Sequence, residues 1–118
     1  MPLIQVDLDR ELFDSLHEEL STAIHNAQIE ALGIPADDLF QVFSPRDGGE
    51  LKFAPSYNNV DRQHMVLIRI TMVHMYSAAT KRKLFEAITA RWAALGVRPE
   101  DVQICVVEVG FEDWWAGK

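Results

Sequence analysis

The second residue of the chain offers the clearest chemistry. Pro2 follows Met1 directly and precedes an apolar run, Leu3–Val6, that is typical of a β-strand. Because proline is small, the initiator methionine is normally removed ahead of it, and a secondary amine then begins the chain. An α-amino group titrates near neutrality, and an apolar pocket or nearby cations lower its pKa further. The sequence therefore predicts that Pro2 is a general base or acid that works near pH 7.

No spacing of histidines, cysteines or carboxylates predicts a metal site. His17, His25 and His64 stand at intervals that match no common ligand pattern. The single cysteine, Cys105, excludes an intramolecular disulfide and suits a reducing compartment. Its apolar neighbours predict an unreactive thiol in the core. We expect a cytoplasmic protein that uses no metal and no cofactor.

Composition and charge restrict the classes of partner. The chain has 118 residues, which suffices for one domain, residues 1–118, and is too short for two. Its net charge of -7 argues against sequence-independent binding to nucleic acid. No apolar run approaches the roughly 20 residues that cross a bilayer, and we expect no secretory leader, because the first residues contain no basic region. We therefore expect neither nucleic acid nor a membrane as a partner.

The chain contains one pattern twice. Residues 31–39, ALGIPADDL, resemble residues 94–102, ALGVRPEDV. The same offset places Leu3 and Ile4 on the start of the second long apolar run. Each half, about 2–44 and 65–109, is thus predicted to form a strand, a helix and a second strand. We expect an α+β domain in which two consecutive β-α-β units form a four-stranded mixed sheet, with both helices on one face.

Apolar spacing and capping residues locate the two helices. From Asp9 to Leu32, apolar residues recur every three or four positions, and Gly33 follows as a residue suited to end a helix. The second helix is expected to begin after Ser77, acting as N-cap, and to end before Gly96. Each helix would therefore connect the two strands of its own half.

The segment between the halves has a different composition. Residues 45–64 are rich in proline, glycine and asparagine, which predicts a loop with a hairpin. Glu50–Phe53 is expected to form a short strand within it. A loop of this length is often a binding element.

The second long apolar run predicts self-association. Residues 65–73, MVLIRITMV, are apolar at nearly every position rather than at alternate ones. A strand of this kind has both faces covered. Because two helices cover only one face of the sheet, we expect copies of the chain to cover the other.

The Pro2 start, the two β-α-β halves and the predicted self-association together resemble the tautomerase superfamily, and within it the malonate semialdehyde decarboxylase group. The resemblance extends over nearly the whole chain. It implies a homotrimer, with Pro2 of each subunit at the floor of a pocket near subunit boundaries. The best-matched stretches are Pro2–Ile4, Asp7-Leu8, residues 31–35 with Asp38 and Gln41, Val66–Ile68, Pro99–Val102, Val107-Glu108 and Asp113-Trp114.

The resemblance also implies roles for two further residues. Asp38 falls where the group carries a catalytic aspartate, which orients or activates water or holds a substrate proton. The structural alternative is an ordinary turn after Pro35, as Asp101 forms in the second half. Trp114 matches a tryptophan of the family and is expected to close the pocket or to pack on a neighbouring subunit.

Three positions depart from the decarboxylase pattern. Two arginines that bind the substrate carboxylate follow the central strand in that group, and His74 and Tyr76 stand in their place. Leu12 occupies the position of another family arginine. Imidazole and phenol cannot bind a carboxylate bidentately as guanidinium does. We expect His74 and Tyr76 to line the site, and we expect Tyr76, His74 or a backbone N–H to stabilise a developing enolate oxygen.

Arg69 is the predicted cation for an anionic substrate. It lies within an apolar strand, where an unpaired charge is costly. Either Arg69 pairs with Glu108 or with an acid of a neighbouring subunit, or it binds the substrate carboxylate.

Three functions are consistent with these residues. In the first, Pro2 catalyses keto–enol tautomerisation of a small 2-oxo acid or a similar anionic carbonyl compound without a cofactor. In the second, a protonated Pro2 acts as an acid while Asp38 activates water for hydration, dehalogenation or decarboxylation of the malonate semialdehyde type. In the third, the chain is a trimeric binding protein that has the scaffold without the activity.

Overall fold

The protein is a four-stranded mixed sheet with two helices, and the computed structural model describes all residues from Met1 to Lys118. In the sheet the strand order is β2-β1-β3-β4, with β1 parallel to β2, β3 parallel to β4, and β1 antiparallel to β3. The predicted α+β fold of two β-α-β units is therefore confirmed. The elements are β1 (Leu3–Asp9), α1 (Arg10–Leu32), β2 (Gln41–Arg46), β3 (Val66–Val73), α2 (Ala78–Ala93) and β4 (Val102–Val109).

Local signals set the ends of the helices. Gly33 follows α1 with a φ of 70°, in the left-handed region, and its N–H donates to the carbonyl of Ile29 at 3.0 Å. Ser77 caps α2, since its hydroxyl accepts a hydrogen bond from the N–H of Thr80 at 3.1 Å. The helix α1 starts one residue later than expected because Asp9 still belongs to β1. Neither helix has the length and apolarity needed to cross a membrane.

One face of the sheet forms the core with both helices. Alternate residues of β1 and β3 point to this face and pack against the buried stripes of α1 and α2. Trp92 joins the two helices, because its indole N–H donates to the carbonyl of Leu20 at 3.2 Å. Both helices therefore lie on one face, as predicted. The fully buried members of this core include Ile4, Leu8, Leu20, Ile24, Ile68, Ile70, Met72, Leu84, Ile88 and Trp92.

The other face of the sheet, which we call the open face, has no helix over it. Val42 and Val107 on this face are 48% and 43% exposed. Cys105 also lies there and is exposed, so the prediction of a core thiol is wrong. In β4 only Val102, Ile104 and Val106 contact the core, and Cys105 lies between the last two. Period-two alternation thus turns its thiol away from the helices.

The strand β2 continues into the predicted loop as far as Arg46, and residues 47–65 contain no strand. The predicted short strand at Glu50–Phe53 is not formed. The backbone N–H of Glu50 instead donates to the carbonyl of Asp47 at 3.1 Å, and the carboxylate of Glu50 accepts from the N–H of Asp47 at 2.7 Å. These bonds close a turn and leave Glu50 unable to join a ladder. A one-turn 3₁₀ helix, Tyr57–Asn59, follows.

Replacing Gly33 with alanine tests the end of α1. We expect Gly33→Ala to lower the free energy of unfolding by about 1 kcal/mol, because a Cβ makes the left-handed conformation strained. No atom lies within 4 Å of such a Cβ, so the cost is conformational. Gly48→Ala is the matched control, since Gly48 is exposed and its φ lies outside the left-handed region. A Cβ at Gly48 also has no atom within 4 Å. Urea denaturation measures both, and equal losses would contradict the explanation.

Candidate active site

Residues far apart in the sequence meet at one edge of the sheet. Because β1 is parallel to β2 and antiparallel to β3, and β3 is parallel to β4, the starts of β1 and β2 lie beside the ends of β3 and β4. Pro2 precedes β1 and Asp38 precedes β2. His74 and Tyr76 follow β3, and Glu108 lies at the end of β4. We call this edge the Pro2 edge.

Pro2 is buried at the start of the central strand β1. It shares the helix-facing side with Ile4, two residues along. The N–H of Ile4 donates to the carbonyl of Phe40 at 3.0 Å, and the side chain of Ile4 is fully buried. Pairing with β2 and β3 on both sides therefore holds the first residues of the chain in place. Burial at this position disfavours the charged form of an amine.

Asp38 lies next to the start of the chain. Its Oδ2 is 3.6 Å from the terminal nitrogen of Met1. Only three bonds separate that nitrogen from the nitrogen of Pro2, which thus lies within about 8 Å of the carboxylate. The backbone of Asp38 also closes the turn after Pro35, since its N–H donates to that carbonyl at 3.0 Å. The part that Asp38 plays in the turn is therefore compatible with the catalytic role that the resemblance implies.

One oxygen of Asp38 has no partner. The side chain is 14% exposed, and Oδ1 is buried without a hydrogen bond. A buried acceptor of this kind carries a desolvation cost that a bound donor would remove. Oδ1 is therefore free to accept a hydrogen bond from water or from a substrate hydroxyl.

Tyr76 is a neutral donor near Asp38. Its side chain is half-buried and packs against the core. Burial raises the pKa of Tyr76 above its ordinary value, and the negative charge of Asp38 raises it further. The phenol thus keeps its proton at neutral pH. A fixed O–H donor suits the stabilisation of negative charge that develops on a substrate oxygen.

His74, Lys81 and Glu108 form a hydrogen-bonded group that we call the Glu108 cluster. The Nδ1 of His74 lies 2.6 Å from Oε2 of Glu108, and the ammonium of Lys81 donates to Oε1 at 2.7 Å. Hydrogen bonds from Lys81 and then from His74 lower the pKa of Glu108 below its usual value. The carboxylate of Glu108 is therefore ionised.

Sequence reasoning missed the Glu108 cluster. It did not consider Lys81, and it gave Glu108 no role other than a matched position and an ion pair with Arg69. The equivalence of the two halves makes β3 and β4 parallel, and the register that places Val73 opposite Val109 brings His74 beside Glu108. The repeat was the signal in the sequence that pointed towards this group, because it predicts that β3 and β4 are parallel, whereas the register itself is seen only in the structure.

Arg69 does not belong to the Pro2 edge of its own chain. It lies in the middle of β3 opposite Gln5 and Cys105, is exposed on the open face, and forms no ion pair. The predicted ion pair between Arg69 and Glu108 is wrong. Glu108 stands three residues beyond Cys105, and an odd offset places it on the other face of the sheet. A contact of Arg69 with a neighbouring subunit or a substrate stays a prediction.

Trp114 lies beyond the end of β4, on the side of the Pro2 edge. It follows a one-turn 3₁₀ helix, Phe111–Asp113, and is half-buried. The carboxylate of Asp113 accepts a hydrogen bond from the N–H of Gly110 at 2.9 Å and fixes this turn. The role of Trp114 at the pocket stays a prediction.

Comparison with known proteins gives the family. The family model described as tautomerase enzyme matches residues 38–117. The probable tautomerase YusQ of Bacillus subtilis (strain 168) is 33% identical to this chain over 119 residues, which cover 99% of the chain and 94% of YusQ. Both matches include Asp38 and the residues that follow β3.

Two solved structures are similar to nearly the whole chain. A malonate semialdehyde decarboxylase inhibited by 3-bromopropiolate is 30% identical, with a TM-score of 0.91, over 98% of this chain and 89% of that one. A malonate semialdehyde decarboxylase solved in wild-type, mutant and inactivated forms is 27% identical, with a TM-score of 0.90, over 98% of this chain and 91% of that one. The predicted resemblance is confirmed: the chain belongs to the tautomerase family of enzymes, in the group that resembles malonate semialdehyde decarboxylase.

Proposed function

We propose that this enzyme uses the amine of Pro2, without a cofactor, to catalyse the keto–enol tautomerisation of a small 2-oxo acid. The observation that carries the proposal is the position of the chain terminus. Pro2 is buried, and the nitrogen of Met1 lies 3.6 Å from Asp38 in a sheltered edge of the sheet. After removal of Met1, a secondary amine in this place can exchange protons near neutral pH.

The neighbouring groups fit such a reaction. The unprotonated nitrogen of Pro2 takes a proton from the carbon next to the carbonyl, and the carbonyl oxygen becomes an enolate. The phenol of Tyr76, whose raised pKa keeps its proton, donates a hydrogen bond to that oxygen, and His74 is a second donor. The ammonium of Pro2 then returns the proton at another atom of the enolate. The predicted cation Arg69 can take part only from another copy of the chain.

The open face supports the predicted homotrimer. It exposes Val42 and Val107, and Arg69 at its centre has no partner in its own chain. Burial of this face against other copies removes apolar surface from water and offers Arg69 an acid or a substrate carboxylate. We propose that three copies assemble through these faces, with the Pro2 edge of each near a boundary.

Hydration is the second candidate function, and one observation favours it. The buried Oδ1 of Asp38 has no partner, and a carboxylate in that state can take a proton from water. Its charge also favours the protonated form of the Pro2 amine, which would then act as an acid. The two decarboxylases that are similar in structure fit this chemistry. His74 and Tyr76, in place of two arginines, argue against the same mode of substrate binding.

Replacement of Pro2 tests the first proposal. We expect Pro2→Ala to lower kcat/KM for ketonisation of phenylpyruvate enol by about 100-fold or more, because the positioned secondary amine is lost. Intact mass spectrometry should show that Met1 is absent from both proteins. Equal rates would favour a binding protein that keeps the scaffold, and an active protein that retains Met1 would rule out Pro2 catalysis.

Replacement of Asp38 separates the two candidate reactions. For a tautomerase, Asp38→Asn removes a charge that favours the protonated amine. The rising limb of the pH–kcat/KM profile should then move to lower pH by about one unit, with activity retained. For a hydratase, the same variant should lose about 100-fold of its hydration rate on a halo-acrylate or on malonate semialdehyde. A pH profile unchanged in position and height would indicate that Asp38 only closes the turn after Pro35.

A charge placed on the open face tests the trimer. Sedimentation equilibrium should give three times the chain mass for the parent protein. We expect Val107→Asp to shift the mass towards one chain, because an unpaired carboxylate in an interface is costly. Thr22→Asp, on the exposed side of α1, is the control and should remain a trimer. A parent protein with the mass of one chain would contradict the assembly.

A further inference from the structure

The internal repeat relates the two edges of the sheet as well as the two halves of the chain. Its copies begin at residues 31 and 94, which are 63 positions apart. Ile4 of β1 pairs with Ile70 of β3, and their counterparts at the same separation, Leu67 and Asp7, also pair with each other. A local two-fold axis therefore passes between β1 and β3. It turns the Pro2 edge onto the opposite edge, where β1 and β2 end and β3 and β4 start.

Asp101 is the counterpart of Asp38 at this opposite edge, which we call the Asp101 edge. The N–H of Asp38 donates to the carbonyl of Pro35 at 3.0 Å. The N–H of Asp101 donates to the carbonyl of Arg98, also at 3.0 Å, so both aspartates close the same turn. Where Asp38 faces the start of the chain, Oδ1 of Asp101 accepts from the backbone N–H of Gln63 at 2.7 Å. The chain continues through this position, so the Asp101 edge has no terminal amine for proton transfer.

A cavity of about 350 Å³ opens at the Asp101 edge. Its size is that of a site for a small molecule. Asp101 lines it with a side chain that is 5% exposed, and Oδ2 of this carboxylate has no hydrogen-bond partner in the chain. A buried acceptor in this state carries a desolvation cost that a bound donor would remove.

The charges of the cavity favour a cation. The lining contains one guanidinium, one imidazole and three carboxylates, those of Arg98, His64, Asp9, Glu11 and Asp101. The two basic groups each lie within 3.4 Å of a carboxylate. The carboxylate of Glu11 forms no ion pair, since Arg10 beside it binds Asp47. Glu11 and Oδ2 of Asp101 are therefore available to a positively charged ligand.

The two edges also carry opposite charges at equivalent positions. The basic residue His74 at the Pro2 edge has the acidic residue Glu11 as its counterpart, 63 positions earlier. The remaining lining includes the apolar side chains of Leu12, Leu16 and Val97. Carboxylates beside apolar surface suit an ammonium group on a short hydrocarbon chain rather than a bare metal ion.

We propose that the Asp101 edge is a second ligand site, the counterpart of the Pro2 edge with its charge reversed, and that it binds a small organic ammonium ion. The ammonium group donates to Oδ2 of Asp101 and to the carboxylate of Glu11. The hydrocarbon part contacts Leu16 and Val97. This site is separate from the reaction proposed at Pro2 and does not depend on it.

Binding of 2-phenylethylammonium tests the site, with 2-phenylethanol as an uncharged ligand of equal size. Titration followed by ¹H–¹⁵N NMR spectra should give saturable shifts of the amides of Leu12, Ser15 and Val97, with a dissociation constant of about 1 mM. The amides of Asp38 and Tyr76 at the Pro2 edge should not move. The alcohol should bind at least about tenfold more weakly, because it carries no charge for the carboxylates.

Three variants identify the contacts. Glu11→Gln and Asp101→Asn should each weaken binding of 2-phenylethylammonium by about tenfold. Glu19→Gln is the matched control, since Glu19 is exposed on the same helix and does not line the cavity. It should bind as the parent does. Ser15→Phe fills the cavity without changing its charge and should abolish binding.

Four results would each overturn the proposal. The first is equal binding of the alcohol and the ammonium ion, and the second is shifts that centre on the Pro2 edge or do not saturate. The third is an equal loss in Glu11→Gln and Glu19→Gln, which would indicate attraction by the net negative charge alone. The fourth is unchanged binding in Ser15→Phe. Glu11 and Ser15 are exposed on α1, so these two variants decide the matter if Asp101→Asn does not fold.

Discussion

The pairing of β1 with strands on both of its sides is the constraint on which the site depends. β1 is parallel to β2 and antiparallel to β3, and its alternate residues fill the core between sheet and helices. A slip of one residue would turn Ile4 and its even-numbered neighbours to the open face, at a large cost in apolar burial. This register fixes Pro2 at a sheltered edge, next to the residues that precede β2 and follow β3.

Two carboxylates at this edge have opposite surroundings. Asp38 has a buried oxygen without a partner, close to the start of the chain. Glu108 has both oxygens bonded to basic side chains, which lower its pKa. The two carboxylates therefore differ in their environment rather than in their chemical type.

The resemblance implies two guanidinium groups at the positions of His74 and Tyr76, and this difference changes how the scaffold can recognise an anion. A guanidinium is charged at every physiological pH and binds two oxygens at once. The phenol of Tyr76 supplies a neutral donor, and the imidazole of His74 supplies a charged donor only when protonated. The fold is shared with the decarboxylases, but function depends on the groups placed on it.

The sequence alone determined the architecture, because its signals are local. The repeat of residues 31–39 at 94–102 predicts two β-α-β units, Gly33 and Ser77 mark helix ends, and Pro2 marks the start of the first strand. Only the tertiary structure decided which side chains meet. The exposure of Cys105, the separation of Arg69 from Glu108 and the bond from Lys81 to Glu108 all follow from the register and facing of elements far apart in the chain. Local periodicity shows that the side chains of a strand alternate between two faces. The pairing of the strands and the position of the helices determine what each face contacts.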